Sequence, residues 1–246
     1  MKMKIIIKLG GSLLAKGRDL VHFLSDYAAK NDLFLIIVPG GGPFVEPIKE
    51  LSEKGSISDD AAHWMAVLAM HQYGFFLVDG EVSIPLVESL EALSNAGHIC
   101  VVLPYNILKA DDSLPHTWDV TSDTIAAFIA HKVGETRFVK VTDVDGIQAE
   151  DGSLIRRVSA QELIEKGIKG CVDMELPKFL ILNNMNCVIV NGNFPERIIA
   201  VIEGRATTCT SIFHVGLRPI TGSAHAPASC GGAYPQARQG LRRKID

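Results

Sequence analysis

Cysteine is scarce and unpatterned in this chain of 246 residues: Cys100, Cys171, Cys187, Cys209 and Cys230 are the five, and none stands in a C-x-x-C spacing. That leaves no signal for a zinc ribbon or a dithiol redox site. The odd count and long gaps point to reduced thiols in a cytoplasmic protein. Long apolar runs are missing as well. None reaches the ~18 residues that span a bilayer, and Ile5-Ile6-Ile7 runs into Lys8 and glycines rather than a small-residue cleavage site, so neither a membrane contact nor a signal peptide is expected. Positive charge is not in excess either: the formal net charge is −4, which provides no global basic field to recruit nucleic acid. No repeat of 20–50 residues and no heptad pattern occurs. Two common nucleotide signatures are also lacking. G-x-x-x-x-G-K-[ST] is absent, and neither glycine turn continues into G-x-G-x-x-G.

Apolar residues make up 47% of the chain, enough for the core of one α/β domain or two closely joined lobes. Strands are expected at 4–9, 33–38, 99–103, 138–142 and 187–190, with a short extended piece at 154–155. Helical spacing or start signals place helices at 18–30, 43–54, from Ser58 or Asp59 to Tyr73 with Gly74 as a stop, 84–95, from Ser122 or Asp123 to 131, 176–186 and 195–203. Ser159 and Glu162 form an S-x-x-E capping box for a further helix to about 166. The segment 105–118 reads as irregular. The alternation predicts an α/β fold, a three-layer αβα sandwich around a mainly parallel sheet. Residues 1–212 are expected to form the domain. From 213 to 246 Gly, Pro, Ala and Ser dominate without periodicity, and the expectation is an irregular tail.

Two strand ends carry the chemistry. The first strand ends in Lys8-Leu9-Gly10-Gly11-Ser12, and the second opens into Pro39-Gly40-Gly41-Gly42-Pro43. Glycine lets backbone N–H groups approach a ligand closely, and a following helix adds unpaired donors and a positive dipole end. Two such turns and one lysine suit a polyphosphate. In Asp119-Val120-Thr121-Ser122-Asp123 either carboxylate could simply cap a helix; the functional alternative is a buried carboxylate holding two lysines. Lys178 stands in the first turn of a helix, where the dipole disfavours it, so it is either solvated or beside an anion.

The order K-x-G-G-S, G-G-G, T-S-D-x-x-A-A, T-D-V-D-G-I, a P-K pair and N-G-x-x-P-x-R-I resembles the amino acid kinase superfamily across residues 1–212. Within it, His63 to Gly74 and Trp118 to Asp123, with no lid insertion between them, are similar to a small kinase of methanofuran biosynthesis that phosphorylates 5-(aminomethyl)-3-furanmethanol phosphate. The resemblance implies a phosphotransferase that uses ATP and Mg²⁺ on a small-molecule acceptor and forms a homo-oligomer. The acceptor would lie on the N-terminal side and the nucleotide on the C-terminal side. Lys8, Asp123 and Lys178 would be catalytic, with Asp123 orienting both lysines. Gly10, Gly11, Ser12, Gly40, Gly41, Gly42, Thr142, Asp143, Asp145 and Gly146 would bind nucleotide and phosphates. His63, Asp119 and Thr121 would bind the acceptor, Asp119 facing its amine and His63 neutralising its phosphate; His71 is a weaker candidate. Mg²⁺ would be held mainly by the ATP phosphates rather than by protein side chains. Asp123→Asn is expected to lower turnover with little change in stability. The chain departs from the family pattern at Thr207-Thr208-Cys209-Thr210, where a glycine is missing, which leaves the last strand open. Isopentenyl phosphate, uridylate, acetylglutamate or aspartate are alternative acceptors, and a nucleotide-binding protein of the molybdenum-storage kind is the non-catalytic alternative.

Overall fold

The computed structural model describes residues 2–81, 83–168 and 170–215; the expected tail beyond Val215 lies outside them. The strands and helices alternate. In chain order they are β1 (Met3–Leu9), α1 (Leu14–Lys30), β2 (Leu33–Pro39), α2 (Glu46–Glu53), α3 (Asp59–Val78), β3 (Leu86–Val87), β4 (Ile99–Val102) and α4 (Tyr105–Ala110). There follow α5 (Ser122–Lys132), β5 (Arg137–Thr142), β6 (Arg157–Ser159), α6 (Ala160–Glu165), α7 (Leu176–Leu182), β7 (Asn186–Asn191), α8 (Pro195–Ile202) and β8 (Cys209–Phe213). Among the described residues the strands form one sheet in the order β3-β4-β2-β1-β5-β7-β8-β6. All pairings are parallel except β7 with β8.

Helices cover both faces, which is why the central strands are apolar on consecutive positions rather than alternate ones. Ile5, Ile7 and Leu9 pack in one core with Leu20, Val21 and Leu24 of α1 and Ile198 and Ile202 of α8. Ile6 packs in the other with Ile125, Phe128 and Ile129 of α5 and Leu176 and Leu180 of α7. The expected three-layer sandwich is the fold observed. The chain leaves β1 towards β2 on one side, while β5 and β7 extend the sheet on the other. The carboxyl ends of β1 and β5 therefore flank a topological switch point, the place where open parallel sheets bind ligands.

Local expectations fare unevenly. Ser58 caps α3 by accepting from the Ala61 N–H at 3.2 Å, and Ser159 and Glu162 form the capping box of α6. Gly74 does not stop α3, which runs on to Val78. It sits where the helix presses on the sheet: a Cβ there would lie 2.7 Å from Leu103 Cδ2. The expected helix at 84–95 is instead the edge strand β3 followed by a 3-10 turn at Ala92–Asn95. The N–H groups of Val101 and Leu103 explain this. Both need acceptors, and they find Pro85 O at 3.0 Å and Val87 O at 2.8 Å; a helix would leave them buried and unpaired. Within 105–118, α4 is the ordered part. The last strand, β8, forms without the family glycine. Its buried Thr210 accepts from the Ile147 N–H at 3.0 Å and donates to Ile155 O at 2.5 Å.

Candidate active site

Parallel register sets Lys8 on β1 directly opposite Lys140 on β5. Strand alternation then points both side chains to the face that α5 covers. Two buried ammonium groups side by side are strongly unfavourable without a counter-charge, and α5 supplies one in its first turn. Asp123 Oδ1 lies 2.8 Å from Lys8 Nζ, and its Oδ2 lies 2.5 Å from Lys140 Nζ; no side chain of the three is more than 8% exposed. Lys140 also donates to the Cys171 carbonyl. Burial pushes the Asp123 carboxyl up, but Lys8 and Lys140 outweigh it and hold the pKa at about 2. Burial lowers Lys8, and the neighbouring Lys140 adds to that against the pull of Asp123. Lys140 feels the same burial, yet its charge and hydrogen bond with Asp123 keep it above its ordinary value. One carboxylate thus serves two ammonium groups, and the buried Asp173 carboxylate is a further negative charge felt at Lys8.

The expected trio of Lys8, Asp123 and Lys178 is therefore not assembled: the second cation on Asp123 is Lys140. The helix α7 buries Leu176, Pro177 and Leu180, which turns Lys178 outward. Its side chain is 57% exposed and its Nζ lies 2.8 Å from Glu175 Oε2. The Glu175 hydrogen bond and charge raise its pKa, with a further contribution from Asp119. Sequence reading also missed Asp173. This buried carboxylate accepts from Thr121 N and Oγ1 at 2.8 Å each, from Thr124 N and Oγ1 at 3.0 and 2.7 Å, and from Leu176 N at 2.8 Å. It ties the first turns of α5 and α7 together. An aspartate three residues before the start of α7 was the available signal.

The two glycine turns touch each other. A Cβ on Gly11 would lie 2.2 Å from Gly42 Cα, and Gly42 itself has φ +56°, a conformation open to glycine at little cost. The Gly10 N–H donates to Val141 O and the Gly40 N–H to Leu9 O, both at 2.8 Å. Those two glycines anchor the turns to the sheet instead of donating to a phosphate, as was expected of them. Gly11, Gly41 and Gly42 remain as candidate donors. Gly11→Ala puts a methyl against backbone that cannot swing aside. It is expected to lower turnover at least about tenfold and to destabilise by roughly 1–3 kcal/mol; steady-state kinetics and thermal melting check both.

On the β5 side, Thr142 Oγ1 lies 3.5 Å from Ser12 Oγ and donates to Asp143 Oδ1 at 3.2 Å. Asp143 is exposed, and a hydrogen bond from Ser12 holds its carboxyl below the usual range. Asp145 instead holds structure together: Arg197 Nη1 at 2.7 Å and Asn191 Nδ2 at 2.8 Å both donate to its Oδ1. Gly146 lies against Thr210.

Next to the glycine turns is a cavity of about 250 Å³, whose lining includes Gly41, Lys49, Asp59, His63, Trp118 and Thr121. His63 stacks on His116 with ring centroids 4.2 Å apart. His116 is clamped between Asp60 Oδ1 at 2.6 Å and Asp112 Oδ1 at 2.7 Å. Burial opposes its charge, but the two carboxylates prevail and raise its pKa. Burial, with the His116 charge behind it, lowers His63 to about 4. Before an anion arrives His63 is thus a neutral imidazole at neutral pH, able to hydrogen-bond a phosphate. Asp119 is exposed and is not among the lining residues; its main-chain carbonyl accepts from the Glu175 N–H at 3.0 Å. The carboxylate that does line the cavity is Asp59. His71 accepts from the Tyr105 N–H at 2.9 Å and so serves α4. Among the described residues no helix is long and apolar enough to cross a membrane.

Comparison with known proteins shows the family. The model of the amino acid kinase family matches residues 3–79 and 68–191. The chain is 30% identical over 223 residues to the [5-(aminomethyl)furan-3-yl]methyl phosphate kinase of Methanocaldococcus jannaschii, covering 87% of this chain and 99% of that one. It is 26% identical over 230 residues to a uridylate kinase of Archaeoglobus fulgidus, covering 83% and 97%. In fold it is similar to the crystal structure of uridylate kinase from Archaeoglobus fulgidus, with a TM-score of 0.65 at 23% identity over 85% of this chain and 100% of that chain. The UMP kinase of Ureaplasma parvum gives 0.66 at 17% identity, over 86% and 96%. The chain is a phosphotransferase and belongs to the amino acid kinase family.

Proposed function

We propose that this kinase transfers the γ-phosphoryl group of ATP to the phosphate of a small aromatic phosphomonoester that carries an amine. The compound in the name of the Methanocaldococcus jannaschii relative, [5-(aminomethyl)furan-3-yl]methyl phosphate, is the model acceptor, and a diphosphate is the product. The observation that carries this reading is the cavity. It is small, and its lining brings together Trp118, one carboxylate, Asp59, and Gly41 of the second glycine turn. An aromatic ring on the indole, an ammonium on Asp59 and a phosphate at Gly41 and His63 fill it with matched chemistry. An acceptor that is already a phosphate needs no general base, which suits a neutral His63.

In this reading Lys8 meets the transferring phosphoryl group, and Gly11, Gly41 and Gly42 supply backbone donors. Such a transition state needs positioning and charge neutralisation more than covalent help. The donor set near β5 fits Mg²⁺: the Asp143 carboxylate and the Ser12 and Thr142 hydroxyls are hard oxygen groups. Asp143 and Ser12 would face the ion, which neutralises charge on the β- and γ-phosphates when bound. Lys178, at the exposed start of α7, is placed to meet the leaving ADP only if its side chain leaves Glu175. A homo-oligomer is part of the proposal, and α3 presents Leu68 and Phe75, 44% and 56% exposed, as its contact.

ADP release from Mg-ATP is the test, with the furan phosphate, isopentenyl phosphate, uridylate, acetylglutamate and aspartate as acceptors. Turnover confined to the furan phosphate is expected. Preference for uridylate would replace the acceptor, and ATP binding without turnover on any of them would favour a storage or regulatory role. Asp59→Asn is expected to raise KM for the amine-bearing acceptor by about 10- to 100-fold, the scale of a hydrogen bond between charged groups. It should leave kcat nearly unchanged and KM for ATP unmoved.

A further inference from the structure

We propose that Lys140 is a positioning residue of the transfer site: it pins one oxygen of Asp123 and the Cys171 carbonyl, so that the other oxygen aims Lys8 into the crevice. The proposal rests on the reading above only in taking Lys8 as the group that meets the phosphoryl oxygens.

The argument starts from what a single lysine would do. Asp123 paired with Lys8 alone would already be neutral overall, and its carboxylate could turn about its last torsion, carrying Lys8 with it. The second ammonium removes that freedom. Oδ2 is taken by Lys140 and Oδ1 by Lys8, at 2.5 and 2.8 Å. Lys140 cannot drift either. It rises from the middle of a sheet on a strand paired on both sides, and it donates to Cys171 O. Two residues on, Asp173 holds the first turns of α5 and α7 through five hydrogen bonds. The orientation of Lys8 is thus fixed from β5, from the segment before α7 and from α5 together.

Burying a second cation is costly, and an apolar side chain of similar length would pack there more cheaply. The cost has a use at this site. Two ammonium groups held on one carboxylate present fixed positive ends to an arriving phosphoryl group, with no reorganisation at the moment of transfer. The groups facing the cluster are Lys8 from β1, Lys140 from β5, Asp123 from α5, Cys171 and Asp173 from the segment before α7, and Cys187 from β7. Of these, Lys140 is the cation that works against protonation of Lys8.

The test compares the full chain with Lys140→Met, Lys140→Gln and Lys140→Arg by two readouts. The first is a titration of Lys8 followed by NMR of 13C-labelled lysine side chains, which needs no acceptor. The second is steady-state kinetics with Mg-ATP and the best acceptor of the panel above. In the two neutral variants the Lys8 midpoint should move to higher pH. Their kcat should fall about tenfold or more, the effect of a misplaced reacting group, with KM for ATP within about twofold. Lys140→Arg should keep the low Lys8 midpoint and recover most of kcat. An unmoved Lys8 midpoint in a folded neutral variant, or an unchanged kcat, overturns the proposal. If one neutral variant does not fold, the other carries the measurement; if neither folds, a raised Lys8 midpoint in Lys140→Arg overturns the proposal. A wild-type chain inactive on the whole panel refutes the acceptor reading alone, because the Lys8 titration still decides the role of Lys140.

Discussion

Lys8→Met is expected to lower kcat by about 10²- to 10³-fold, the loss seen when one donor to transition-state charge is removed. Lys8 stands one residue before the end of β1 and pairs with Asp123 in the first turn of α5, and of the buried pair it is Lys140 that is tied to a main-chain carbonyl. Removing the Lys8 charge leaves Asp123 still neutralised by Lys140 at 2.5 Å. The variant should therefore fold, and the loss should be chemical. Single-turnover measurements with saturating Mg-ATP and acceptor check this, with circular dichroism as the control for folding. Near-normal turnover would remove Lys8 from the mechanism.

Asp123→Asn is expected to destabilise the protein by roughly 3–5 kcal/mol, the cost of leaving buried charge uncompensated, and to lower kcat as well. The structure here reverses the sequence-based expectation of little change in stability. A helix-capping carboxylate at the surface could be neutralised cheaply, but this one separates two buried ammonium groups. The pH dependence has a definite sign. Asp123 titrates at about 2, below its ordinary 3.8, so its contribution is fully present above about pH 4 and is lost as the pH falls through 2. Urea unfolding of both forms at pH 7 and towards pH 2 measures this. The gap between them should be widest at neutral pH and should close as the wild-type carboxylate takes up its proton. A gap independent of pH would mean that Asp123 stabilises by shape alone.

Much of the scaffold was legible along the chain because its signals are local. Ile5-Ile6-Ile7 and 33–38 are apolar at every position, which only a strand covered on both faces explains. Ser58 and Ser159 announce helix starts by chemistry that acts within three residues. The glycine turns after Leu9 and Pro39 are recognisable for the same reason. The errors fall where a local signal met a distant requirement. Local spacing predicts a helix at 84–95, but the N–H groups of Val101 and Leu103 need partners, and the segment forms the edge strand β3. Gly74 reads locally as a helix stop, but it is the contact that lets α3 lie close to Leu103.

The candidate site divides along the same line. The sequence alone determined that Lys8 stands at a strand end beside glycine turns, that Asp123 opens a helix, and that the fold is a covered parallel sheet. Periodicity and capping act over a few residues and need no partner from elsewhere. Only the tertiary structure decided which cation Asp123 would hold. Lys140 faces Lys8 because β1 and β5, more than 120 residues apart, pair in parallel register, whereas Lys178 turns outward because Leu176, Pro177 and Leu180 claim the buried face of α7. A buried charge selects its counter-charge by geometry, and strand register and helix facing are set by packing across the whole molecule.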